Sequence, residues 1–317
     1  MSKKIFVFPG QGSQIVGMGK DFYDNFIEAK EVFQEVDNAL NQNLTKIIFE
    51  GSAEDLTLTE NTQPALMAVS IAILRTLLKQ SGKKLNDFSD YVAGHSLGEY
   101  TALCAAGAFN LSDCARLLKL RGKSMQQAVP QGKGAMAAVI GLDFANVEKL
   151  TNQANSSDEP CEIANDNSDG QVVISGSVAG IDKAENIAKE LGAKRFLKLP
   201  VSAPFHSSLM KPAQEIMRQA LAETNINIPA VPVIANVSAK ITSDVNEIKN
   251  LLTQQVTGRV RWRESVEYMA QTLQITKATE IGAGKVLSGL IKRGAKEIET
   301  SNIEKIQDLE NFLNLSN

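Results

Sequence analysis

At 317 residues, with 43% hydrophobic and 22% charged side chains, the chain can bury a large core as one domain or as a large and a small one. Its 33 basic and 36 acidic residues give a formal net charge of −3, which argues against a nucleic-acid binder and leaves any attraction for an acidic partner to a local basic patch. The three cysteines, Cys104, Cys114 and Cys161, have neither metal-ligand nor redox spacing, so no metal site is expected and reduced thiols in a cytoplasm are.

In chain order, the apolar run 5–8 is too short for a signal-peptide core and reads as a buried first strand entering the loop Pro9-Gly10-Gln11-Gly12-Ser13-Gln14. No stretch reaches the length of a membrane span; the nearest, 66–74, carries a serine. Phe22, Phe26, Val32, Phe33, Val36 and Leu40 recur at the spacing of one helix. Asn61 and Thr62 are the expected caps of the next, with Pro64 in its first turn and Gly82 at its end. Tyr91-Val92-Ala93 then gives a short strand, Gly94-His95-Ser96-Leu97-Gly98 a sharp turn, and 99–109 a helix, after which Ser112 caps a helix reaching about Ala128.

From Gly134 the texture changes. A strand over 135–140, a helix over 144–154, strands over 161–165 and 171–175, a helix over 178–191 and a strand over 194–199 follow one another. This β-α-β-β-α-β order predicts a small ferredoxin-like α+β subdomain over 131–201. It is inserted in a larger, discontinuous α/β domain over 1–130 and 202–317, expected to be α/β-hydrolase-like with a parallel sheet. The remainder offers a strand over 231–236, a helix over 262–273, a strand over 278–281 and a helix over 286–293.

The chemistry concentrates at Gly94-His95-Ser96-Leu97-Gly98. A G-x-S-x-G pentapeptide between a strand and a helix is the setting of a nucleophile elbow, in which small flanking residues let the backbone bend tightly and hold the serine hydroxyl clear. The helix start adds unpaired N–H groups and a positive dipole end, both useful to a developing oxyanion. Acyl transfer through a serine ester is the reaction class this predicts. A serine hydroxyl needs a general base, most often histidine, and the chain has two. His95 is adjacent on the elbow and expected to project away, which leaves His206, in Ala203-Pro204-Phe205-His206-Ser207. What orients His206 stays open: Asp113, Asp143, Asp158, Asp166, Asp169 and Asp182 lie between the two residues without distinguishing context, and a backbone carbonyl would serve as well.

On a helical wheel Arg121 falls near the centre of the apolar stripe of Cys114, Leu117, Leu118, Met125 and Ala128. A cation on a core-facing stripe is costly unless it meets an anion. Either an internal salt bridge holds it or it forks onto a substrate carboxylate, which would select an acyl group bearing its own acid. Glu280-Ile281-Gly282-Ala283-Gly284-Lys285 lacks the third glycine of a dinucleotide fingerprint and the spacing of a P-loop, and reads as a tight strand-to-helix turn. Trp262 and Tyr268 read as helix core or face.

Together these residues resemble the malonyl-CoA:acyl carrier protein transacylase family over nearly the whole chain. The elements are Phe8-Pro9-Gly10-Gln11-Gly12-Ser13-Gln14, Thr62-Gln63-Pro64-Ala65, Gly94 to Tyr100, Arg121-Gly122 with Met125, Pro204-Phe205-His206-Ser207, and Glu280 to Lys285. The resemblance implies malonyl-CoA as substrate and acyl carrier protein as transient partner, with no bound cofactor. It implies Ser96 as nucleophile, His206 as acid/base, Arg121 as anchor of the malonyl carboxylate, and an oxyanion hole from the Gln11 and Leu97 amides. It also implies that the backbone carbonyl of Gln255 orients the histidine. Gln63, Asn165 and Asn167 match cleft positions, as do Met125 and Phe205, and Lys194 and Arg195 match a basic pair meeting coenzyme A or the carrier protein. Two other readings share the elbow: a serine thioesterase or esterase, and a non-catalytic scaffold that binds carrier protein.

Overall fold

A computed structural model describes residues 3–201 and 203–315; the expected boundary at residue 202 and the two residues at each end lie outside them. Its strands are β1 (Lys3–Phe8), β2 (Tyr91–Gly94), β3 (Gly134–Ile140), β4 (Cys161–Ser168), β5 (Gln171–Ser177), β6 (Arg195–Lys198), β7 (Val233–Ile234), β8 (Ile241–Thr242), β9 (Ile275–Ile281) and β10 (Glu299–Ile303). One sheet has the order β10-β9-β1-β2-β7-β8, parallel throughout except for β8, which pairs antiparallel with β7. The other, β4-β5-β3-β6, is antiparallel at every pairing.

The continuous apolar run Ile5-Phe6-Val7-Phe8 follows from burial of the first sheet on both faces. Phe6 and Phe8 join the core under the long helix Thr59–Ser81, whereas Ile5 and Val7 point to a second core with Trp262 and Val266. β1 and β2 run parallel side by side, with Phe8 opposite Gly94. The loops leaving their C-terminal ends, 9–14 and 95–96, therefore emerge together at the edge where open α/β sheets bind ligands.

Several local expectations are corrected. The helical run from Phe22 is two helices, Lys20–Asn25 and Ile27–Leu40, because Phe26 takes an extended backbone at the corner where its ring meets Phe22. Asn61 and Thr62 do not cap the long helix, which begins at Thr59 and carries Pro64 in its second turn. Their side chains instead satisfy carbonyls at the end of the preceding short helix: Asn61 Nδ2 donates to Asp55 O (2.9 Å) and Thr62 Oγ1 to Leu56 O (2.5 Å). The elbow helix stops at Ala105, not 109. Asn110 caps Leu111–Gln127 by accepting from Asp113 N, while Ser112 donates to Glu35. The strand expected over 231–236 shortens to β7, since Asn236 N leaves the ladder to donate to Glu99 Oε2. Helices Lys211–Glu223, Val245–Gln255 and Ile306–Leu315, with β8 and β10, join the expected elements.

Candidate active site

The elbow is built from glycines. A Cβ on Gly94 would fall on the Gly98 carbonyl, and one on Gly98 on the Phe8 carbonyl, both well inside van der Waals contact. Strand, turn and helix can approach this closely only without side chains at those two positions. Between them Ser96 sits at φ 54°, ψ −109°, a conformation that costs a non-glycine residue about 1–3 kcal/mol. The surroundings hold it there: Ser96 N donates to Asn236 Oδ1 (2.7 Å), and Asn236 Nδ2 donates to Gly94 O (2.7 Å), which ties the two ends of the turn to one amide. Gly94→Ala is expected to destabilise by about 3 kcal/mol, the upper end of ordinary overpacking, because neither colliding group is a flexible side chain. Urea unfolding checks this; a midpoint within error of wild type would refute the packing argument.

Ser96 and His206, 110 residues apart in the chain, meet here: Ser96 Oγ lies 2.8 Å from His206 Nε2. His206 Nδ1 lies 2.9 Å from the Gln255 backbone carbonyl and 3.1 Å from that of Gly258. A carbonyl only accepts, so Nδ1 carries the proton and Nε2 is the free acceptor for the serine hydroxyl. None of the six aspartates considered from sequence is the histidine's partner; Asp166 is buried against Arg263 instead (2.9 Å). Burial first, and then the Arg121 charge, lower the His206 pKa from 6.5 to about 3, so the imidazole stays neutral and basic at neutral pH. His95 bonds to other groups, with Nε2 2.8 Å from Asn167 Oδ1 and its ring beside Trp262, but contrary to the expectation that it projects away it lines the same cavity as Ser96.

Arg121 is 1% exposed, and among the described residues its hydrogen bonds go to uncharged oxygens. Nη1 donates to Gln63 Oε1 (2.9 Å), and Nη2 to Gln255 Oε1 (2.8 Å) and Ser96 Oγ (3.1 Å), while Nε has no partner. Of the two possibilities open from sequence, the internal salt bridge is not found within 4.0 Å of it among the described residues. A buried guanidinium with no carboxylate hydrogen-bonded to it among the described residues, one hydrogen bond from a serine hydroxyl, can receive an anion on whatever that serine carries.

A cavity of about 290 Å³ is lined by Gln11, Gln63, Ser96, Leu97, Arg121, Met125, Asn165, Phe205 and His206, with Leu199, Pro200 and Val201 at one wall. Leu97 opens its helix, so its N–H belongs to those without an intrahelical acceptor. A neighbouring cavity of about 450 Å³ shares Gln11, Thr57, Pro200 and Val201 with it. Asn167, expected in the cleft, does not itself line the cavity but bonds to His95, which does. Lys194 and Arg195 are also outside it; both are exposed, at the end of β6 away from Leu199. Trp262 is fully buried as expected of helix core. Among the described residues no cluster of three or more His, Cys, Asp or Glu could hold a metal, and no helix is long and apolar enough to cross a membrane.

Two residues central to this arrangement were not singled out from sequence. Asn236 braces the elbow as described. Glu99, 2% exposed, accepts from Asn236 N (3.0 Å) and Gln255 Nε2 (2.8 Å); burial raises its pKa to about 7 against those two donors and the Arg121 charge. Its signal is a glutamate three residues after Ser96 in the otherwise uncharged helix LGEYTALCA.

The acyl transferase domain family matches residues 5–306 of the chain. The malonyl CoA-acyl carrier protein transacylase of Bacillus subtilis (strain 168) is 45% identical over 310 residues, 98% of this chain and 96% of the relative. A crystal structure of acyl-carrier-protein-S-malonyltransferase from Bartonella henselae superposes with a TM-score of 0.95 at 50% identity, covering 99% of each chain. A structure of a type II PKS acyl-carrier protein in complex with its malonyl-transacylase superposes at 0.94 with 38% identity, covering 99% of this chain and 100% of that one. Matches of this identity along the full length leave one assignment: the chain is a member of the acyl transferase domain family and, within it, of the malonyl CoA-acyl carrier protein transacylases.

Proposed function

We propose that the protein transfers the malonyl group of malonyl-CoA to the pantetheine thiol of an acyl carrier protein through a malonyl ester on Ser96, supplying extender units for fatty acid synthesis. The observation that carries this reading is the buried Arg121 guanidinium 3.1 Å from Ser96 Oγ, with no salt bridge among the described residues. His206 Nε2 takes the hydroxyl proton as Oγ attacks the thioester carbonyl, forming the C–O bond. The Gln11 and Leu97 amides receive the oxyanion, and the C–S bond breaks to release coenzyme A, whose sulfur takes the proton from His206. The carrier thiol then attacks the ester, His206 accepts its proton, and Ser96 regains it on leaving. Acid–base and oxyanion chemistry are carried by protein groups, so the reading calls for no metal or resident cofactor.

The inner cavity suits the malonyl group and the adjoining larger one the thioester arm. Asn165, Met125 and Phe205 would line the acyl site. Lys194 and Arg195, exposed beyond the cavity, would meet only the distal part of coenzyme A or the partner protein. A thioesterase would share Ser96 and His206 but has no use for a buried unpaired cation. We read the larger sheet as α/β-hydrolase-like and the 131–201 segment as a ferredoxin-like insert; the antiparallel order β4-β5-β3-β6 supports the latter. A reducing, cytoplasmic location fits the three free cysteines.

Intact-mass measurement after brief exposure to malonyl-CoA tests the reading. One malonyl adduct is expected on the wild type and none on Ser96→Ala, with discharge on adding acyl carrier protein. An unmodified wild type, or an adduct that survives in Ser96→Ala, would sink it.

A further inference from the structure

Glu99 has no part in the steps above, yet it is buried against the residue that joins the two halves of the site. Gln255 holds His206 through its main-chain carbonyl and Arg121 through its side-chain oxygen (2.8 Å). Its Nε2 donates to Ser96 O (2.9 Å) and Glu99 Oε2 (2.8 Å). A carboxamide has two unlike ends, and a half-turn about its last bond exchanges them. The reversed amide would put its oxygen against two acceptors, Ser96 O and Glu99 Oε2, and its NH2 against the guanidinium.

We propose that Glu99 is a positioning residue for acyl selectivity: it fixes the Gln255 amide with its oxygen toward Arg121, and so holds the guanidinium where the carboxylate of the acyl group meets it. This rests on the reading of Ser96 as ester carrier and Arg121 as carboxylate anchor. Asn236 N, the second donor to Glu99 Oε2, fixes that oxygen in turn, so the carboxyl group is held between a main-chain N–H and the amide it orients. The role is that of an acceptor and needs no charge. Burial leaves Glu99 part-protonated near neutral pH, and with the proton on Oε1 the other oxygen still faces both donors.

The test follows serine acylation by rapid quench and intact mass, with malonyl-CoA and acetyl-CoA each varied in concentration. Glu99→Met fills the space and removes the acceptor. It is expected to raise KM for malonyl-CoA about tenfold while the acetyl-CoA constants stay within twofold. Glu99→Gln can present its own oxygen to both donors and is expected to keep the wild-type malonyl preference within twofold. Because Glu99 acts through Gln255, the double variant Glu99→Met/Gln255→Met should be no less selective than Gln255→Met alone. Equal losses with both thioesters in Glu99→Met, or multiplying losses of selectivity in the double variant, would overturn the proposal and leave Glu99 a packing residue. If Glu99→Met does not fold, Glu99→Asp withdraws the acceptor by one methylene; an unchanged malonyl preference there overturns it equally. A wild type that forms no malonyl adduct would overturn the underlying reading, whereas a normal adduct with selectivity indifferent to Glu99 would overturn this inference alone.

Discussion

His206→Ala is expected to slow formation of the malonyl-Ser96 ester by about 10⁴-fold, with thioester binding altered far less, because it removes the group that, in the proposed mechanism, takes the serine proton across a 2.8 Å contact. The geometry gives the base one function. With Nδ1–H committed to the Gln255 and Gly258 carbonyls, Nε2 has no competing proton and points at Oγ. A carbonyl orients the ring as an aspartate would but adds no negative charge, and the nearest full charge is the Arg121 cation. Together with burial, this is why the histidine pKa falls to about 3. Two pH effects follow. The acid limb attributable to His206 in the free enzyme should lie well below pH 6.5, so acylation should hardly change between pH 8 and pH 6. Stability runs the other way: below pH 6.5 the unfolded chain takes up a proton that the folded histidine refuses until about pH 3, so this residue makes folding less favourable as pH falls through that window. Quenched-flow mass spectrometry of wild type and variant measures the rate. A loss smaller than tenfold would mean that another group takes the proton.

The parts of this site that depend on local chemistry were legible in the sequence. Gly94, Ser96 and Gly98 at that spacing after a short apolar run specify the elbow, since only glycine lets the helix lie that close to the strand. With two histidines in the chain and one consumed by the elbow, His206 follows by elimination. Arg121 stands out because a cation on an apolar stripe has few uses. What the sequence hides is the work of uncharged groups whose partners lie far along the chain. Asn236 and the Gln255 side chain are ordinary amides in ordinary contexts; the resemblance points to the Gln255 main-chain carbonyl, but nothing reports that these amides brace Ser96 from 140 and 159 residues away. Asn167 shows the converse. A residue two positions from one that lines the cleft need not line it as well, and here the β4 side chain supports His95, which lines the cavity, instead of lining it directly. The same limit explains the capping errors. Asn61, Thr62 and Ser112 have the composition of helix caps, but other acceptors take their side chains: carbonyls six residues back for the first two and the distant Glu35 for the third.

Arg121→Met should lower kcat/KM for malonyl-CoA by roughly 10²–10³-fold and leave acylation by acetyl-CoA unchanged or a few-fold faster. The first figure corresponds to losing about 3–4 kcal/mol, the range for a desolvated, charge-assisted fork onto a carboxylate. The second follows from what else the guanidinium does in the free site. It occupies Ser96 Oγ and contributes to the depressed basicity of His206, and a neutral acyl group gains nothing in exchange. Methionine keeps much of the buried volume, so a general collapse of the pocket, which would slow both thioesters alike, is minimised. Arg121→Lys divides charge from shape: an ammonium supplies the charge but not the planar pair of donors, and should recover only part of the malonyl rate. The decisive quantity is the ratio of the two acylation rates in one variant, because errors in active fraction cancel in it. If that ratio stayed at its wild-type value in Arg121→Met, the buried guanidinium would be a scaffold for Gln63 and Gln255, and malonyl selectivity would have to come from the apolar wall of Met125 and Phe205 instead.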